Sequence, residues 1–123
     1  MHQIIQELEK EDIKAYEGDA FFLLELFLTT AKDNFSNGFD GVHTKVSLLK
    51  NLLKITDSSL YDFFNTNNIE LVYFIFRWIF CFLIREFPLH LSIYLLDYYI
   101  LEDCSPSEFN MYVSLGLLLK FSF

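Results

Sequence analysis

Basic charge is scarce in this chain. Nine lysines and arginines stand against 17 aspartates and glutamates in 123 residues, a net charge of −8. Phosphate backbones and anionic lipid repel such a balance, which excludes nucleic acid as a partner. Cysteine is scarce too. Cys81 lies in an apolar run and Cys104 in a loop beside Ser105 and Pro106. With no CxxC and no Cys/His cluster, neither a metal site nor a disulfide framework is indicated, and reduced thiols in a cytoplasmic protein are expected. Catalytic signatures are missing: there is no glycine-rich phosphate loop, no HExxH and no Ser/His/Asp arrangement, and no cofactor is implied. His90 and Asp97 lie seven apart on one predicted helix, about two turns, too far for a direct hydrogen bond. No stretch sustains strand alternation, and residues 1–13 are too mixed and charged for a secretory signal.

Apolar residues are abundant instead. They make up 53% of the chain, with 15 Phe, enough to exclude disorder. A core of this size cannot hide that many aromatics, so a partner chain or the rest of a larger domain is expected to cover some of them. The richest stretch is 71–87, LVYFIFRWIFCFLIREF, whose only charges are Arg77, Arg85 and Glu86. It reads as one helix covered on every side, with Arg77, Cys81 and Arg85 on one face. As a membrane span its uninterrupted part is short. It would also place Arg77 near mid-bilayer at a cost of about 2.5–3.5 kcal/mol. Integral membrane insertion is therefore not expected.

The whole chain reads as all-α, with about six helices in an orthogonal or antiparallel array. Residues 1–15 form an acidic N-terminal segment, partly frayed, in which Ile4, Ile5, Leu8 and Ile13 make a weak amphipathic turn or two. Asp19 is expected to cap a helix from Ala20 to about Asn34 or Phe35. Ser36-Asn37-Gly38 and Asp40-Gly41 break it. An amphipathic helix over 42–55 follows, with Lys45, Lys50 and Lys54 on a solvated face and His43 structural at its start. Asp57 opens a short helix that ends at 65–68. Phe87-Pro88 closes the central run, and 89–101 is the next helix. Ser105-Pro106-Ser107-Glu108 is a capping box with proline, opening the last one.

A charge inside the central run needs a partner, and Asp97 is the predicted one for Arg77. Each lies ten residues from Phe87, about 15 Å from the turn of an antiparallel hairpin. Burial of Arg77 in a pair with Asp97 is expected on that ground. Trp78 is expected in the core.

The order of these features resembles the C-terminal half of a TBC domain, the Rab GTPase-activating module. The matching residues are Gly18-Asp19-Ala20-Phe21-Phe22, Leu60-Tyr61-Asp62-Phe63-Phe64, Ile69-Glu70-Leu71 and Phe76-Arg77-Trp78. Leu83-Ile84-Arg85-Glu86-Phe87-Pro88-Leu89, Leu96-Asp97 and Glu108-Phe109 continue the match. Leu96-Asp97 stands where the family has Trp-Asp. The resemblance implies a helical half-domain over 16–123 that binds a Rab carrying GTP, in the cytoplasm or peripheral to endomembranes. It implies a mechanism in which an arginine neutralises charge on the phosphoryl group and a glutamine orients water. Those two residues come from IxxDxxR and YxQ motifs in the N-terminal half. Neither motif is in this sequence, and the resemblance places Met1 just downstream of the second. No catalytic residue is therefore assigned. Arg77, Trp78, Arg85, Glu86, Pro88 and Asp97 are taken as structural. The expected partners are a Rab-type GTPase and either the N-terminal half-domain or a second copy meeting exposed apolar surface. A degenerate, non-catalytic helical interaction module is the alternative, and a helical membrane protein the third.

Overall fold

The computed structural model describes residues 2–122, without the side chains of residues 2–5, 7 and 8. Its described residues form six α-helices and no strand, as the periodicity predicts. The chain divides into two compact units, Met1–Thr30 and Ala31–Phe123.

The first unit is one helix, α1 (His2–Thr30). The expected start at Asp19 is wrong: Gly18 and Asp19 lie inside the helix. Once a helix is nucleated, each further residue adds a hydrogen bond, so an internal cap residue stops nothing unless the chain leaves helical geometry there. The side chains of Ile4, Ile5 and Leu8, expected to form an apolar turn, lie outside those described. The helix also ends sooner than expected. Thr30 bonds back to the Phe27 carbonyl at 3.1 Å, and Lys32–Phe35 tightens into a 3₁₀ turn.

The second unit is built around α2 (Asp40–Thr56). Val42, Val46, Leu49 and Leu53 recur at helical spacing and are buried. They pack with Leu71, Ile75 and Ile79 of α4 (Val72–Phe80) and Met111 and Leu118 of α6 (Pro106–Lys120). Between them α3 (Ser58–Thr66) starts where expected, because the Asp57 carboxylate accepts from the Leu60 amide at 2.9 Å. Asp57 also accepts a hydrogen bond from the Ser122 hydroxyl. The cap of α6 is the predicted one: Ser105 Oγ accepts from the Glu108 amide at 3.3 Å, with Pro106 in the first turn. The entry to α2 needs glycine, since a Cβ on Gly41 would lie 2.5 Å from the Asp33 carbonyl carbon. Lys45 departs from the expected solvated face. It is half-buried and donates to Asn34 Oδ1 at 2.6 Å. Desolvation lowers its pKa, against the opposing pull of Asp33.

The central run does not form a single helix. α4 stops at Phe80, and residues 81–86 are turns. Phe82 and Leu83 adopt left-handed backbone, φ +53° and +60°. The Leu83 amide closes onto the Trp78 carbonyl at 3.0 Å, the six-to-one bond of a Schellman cap. The chain then turns through Pro88, which caps α5 (Leu89–Leu101). The predicted common face of Arg77, Cys81 and Arg85 is lost with the helix that was to carry it. Among the described residues no helix is long and apolar enough to cross a membrane.

Candidate functional site

The turn after α4 gathers most of the residues singled out in the sequence. Arg77, one turn before the helix ends, points outward with its side chain 54% exposed. Its Nε donates to Glu86 Oε1 at 2.6 Å and a terminal nitrogen donates to Oε2 at 2.8 Å. This planar, two-bond pair replaces both expectations for Arg77, burial and a bond to Asp97. The reason is the break. In a continuous helix residues nine apart are separated by about 13 Å along the axis. The left-handed pair at 82–83 folds residue 86 back onto residue 77. With α4 ending at Phe80, the equal spacing about Phe87 no longer sets the level of Asp97, which is exposed on α5.

The pairing is visible in the charges. The Arg77 hydrogen bonds hold the Glu86 carboxyl below the usual carboxylate range, aided by Trp78 and Arg85 and opposed by partial burial. Glu86 in turn raises the Arg77 pKa. Trp78 is half-buried, its ring edge-on to Phe74 at 5.4 Å. Arg85 and Pro88 are exposed on the turn.

The break itself is held from below by two residues that sequence reasoning missed. Tyr99 of α5 is buried, its hydroxyl 3.0 Å from the Phe82 carbonyl and 2.8 Å from Asn110 Oδ1. Asn110 of α6 donates from Nδ2 to the Trp78 and Ile79 carbonyls at 3.1 and 3.3 Å. These carbonyls sit in the last turn of α4, where intrahelical donors run out. Ser92 Oγ, 2.9 Å from the Ile84 carbonyl, fixes the far side of the turn. Burial pushes the Tyr99 phenol well above its ordinary pKa. A signal for Asn110 was present. It falls in register with Met111, Ser114 and Leu118, the inward stripe of α6.

Beside the turn lies an aromatic cluster. Phe39, itself left-handed at φ +55°, meets Phe76 and Phe80 edge-on at 5.4 and 5.6 Å. Phe35 meets Phe80 at 5.0 Å, and His43 borders Phe76 at 6.2 Å. Lys50 and Lys54 lie 6.0 and 5.7 Å from the Tyr61 ring on another side of α2. Among the described residues no group of His, Cys, Asp and Glu could hold a metal ion. The arrangement offers an ordered surface of aromatic rings and a fixed ion pair, which is chemistry for binding.

The model of one family, the Rab-GTPase-TBC domain, matches residues 4–122. Among curated proteins, TBC1 domain family member 22B of Homo sapiens is 30% identical over 116 residues, covering 94% of this chain and 23% of that protein. GTPase-activating protein GYP1 of Saccharomyces cerevisiae is 36% identical over 92 residues, 75% of this chain and 14% of that protein. GTPase-activating protein gyp1 of Schizosaccharomyces pombe is 30% identical over 120 residues, 97% and 23%. The chain thus spans less than a quarter of the length of these relatives. No solved structure matches it. A match over nearly the whole chain, on an all-helical fold, means that this chain belongs to the Rab-GTPase-TBC domain family.

Proposed function

We propose that this chain is the scaffolding and Rab-binding part of a GTPase-activating domain, and that it supplies neither of the two residues that complete hydrolysis. The observation that carries this reading is Arg77. An arginine finger must reach a phosphoryl group with its guanidinium available. Arg77 has its guanidinium fixed on the Glu86 carboxylate by two hydrogen bonds. The other arginine, Arg85, lies on the turn that those bonds shape. The two glutamines are Gln3 and Gln6, and neither has a tyrosine two residues before it. What the chain contributes is surface, the aromatic and charged face around α4. Its place of work is the cytoplasm, at the endomembrane surfaces where a Rab partner resides.

Single-turnover hydrolysis of GTP on a panel of Rab proteins tests the catalytic half of the proposal. The expected rate equals the intrinsic one, since loss of an arginine finger alone removes a factor of about 10³–10⁵. Stimulation abolished by Arg85→Ala would identify a replacement finger and refute the reading. Surface plasmon resonance with the same Rabs in the GTP state tests the binding half. A chain that binds none of them has no Rab-facing surface.

A further inference from the structure

The geometry points to a second copy of this chain as the occupant of the outer face of α5, docked antiparallel about a twofold axis between Ile93 and Tyr94. The inference is independent of the Rab reading. α5 is apolar almost all round, yet it buries one stripe only. Ser92 and Tyr99 are buried, and Leu95 and Leu96 are half-buried between them. The opposite stripe is His90, Tyr94, Asp97 and Leu101, spaced four, three and four, and all four are exposed. That spacing keeps them in one line along the helix, the seam along which two helices pack. Tyr94 is 64% exposed, and Ile93 and Tyr98 flank it at 51% and 57%. A monomer rarely leaves a contiguous apolar patch of more than a few hundred Å² bare.

Charge selects both the occupant and the direction. The imidazole and the carboxylate of the stripe, His90 and Asp97, lie seven residues and about 10 Å apart. A twofold axis between residues 93 and 94 sets each residue of one copy level with the residue whose number brings their sum to 187. His90 then faces Asp97 of the other copy, and the contact occurs twice. An imidazole N–H donates to a carboxylate in each. Ile93 meets Tyr94 at the centre. A parallel pair would instead set aspartate against aspartate, so the surface is complementary to itself in one orientation only. Antiparallel packing also opposes the two helix dipoles.

Sedimentation equilibrium of the full chain over micromolar to millimolar concentrations provides the test. A monomer–dimer equilibrium is expected, and a monomer throughout overturns the proposal. Tyr94→Glu should raise the dissociation constant about thirtyfold or more while the far-UV circular dichroism is unchanged. A dimer indifferent to it uses another face. The register is tested by charge exchange. His90→Asp and Asp97→His should each weaken the dimer, and the double variant should restore it. Two single variants that weaken it with no recovery in the double variant would refute the antiparallel register.

Discussion

Asn110→Ala is the substitution that tests most directly whether the turn after α4 is imposed by its neighbours. Asn110 accepts from the Tyr99 hydroxyl at 2.8 Å and donates to two carbonyls of the last α4 turn. The consequences differ by partner. The Trp78 carbonyl keeps the Leu83 amide and Tyr99 keeps the Phe82 carbonyl. The Ile79 carbonyl loses the Asn110 amide. Three hydrogen bonds are lost, and since Trp78 and Tyr99 each keep another partner while the buried Ile79 acceptor is left short of a donor, the loss should be roughly 2–4 kcal/mol at about 1 kcal/mol per bond. Tyr99→Phe removes the hydroxyl alone and should cost about 1–3 kcal/mol. Because the two groups bond each other, the double variant should cost less than the sum, with a coupling of about 0.5 kcal/mol or more. Urea unfolding followed by circular dichroism measures all three. Amide exchange at residues 81–84 should accelerate in Asn110→Ala well beyond the change at the centre of α2. A loss below 0.5 kcal/mol with unchanged exchange would refute the reasoning, since the turn would then stand on local preference.

Glycines give a contrast of sign. Gly116→Ala, with nothing within 4 Å of the new Cβ, should stabilise the chain by about 0.5–1 kcal/mol in thermal unfolding, whereas Gly41→Ala meets Asp33 backbone and should destabilise it by about 1–3 kcal/mol. Tyr99 should stay protonated in the folded chain at pH values where exposed tyrosines ionise. Its folded pKa is raised, so its contribution is complete below the unfolded value near 10 and is lost as pH rises above it, which absorbance at 295 nm and alkaline unfolding together will register. Glu86 has the opposite sign. Its depressed pKa gives stability present above about pH 4.3 and lost as pH falls through the folded value, and Glu86→Gln should remove that acid dependence.

How much of this was legible depended on where the determining residues lie. α2, α3, α5 and α6 could be read because their signals are local. Asp57 and Ser105 bond amides three residues on, and the α2 stripe recurs at helical spacing. Asp19 misled because an aspartate suited to a cap is also tolerated inside a helix. The turn at 81–86 was not legible. Neither Phe82 nor Leu83 favours left-handed backbone, and nothing within 71–87 marks a stop. The side chains that bond the break, Tyr99 and Asn110, lie 17 and 31–32 residues beyond the carbonyls they address. The Arg77 partner was misassigned for the same reason, since it followed from a straight helix.

That separation along the chain has a consequence in time. Helices elongate in nanoseconds per residue, long before distant segments meet. The bonds from Tyr99 and Asn110 form only when α5 and α6 have docked, which predicts that they are made after the rate-limiting step of folding. Asn110→Ala should therefore act on the unfolding rate, steepening the decay of the native state while leaving the refolding rate nearly unchanged. On that expectation the lifetime of the folded chain, more than the speed with which it is reached, is what the Asn110 amide sets.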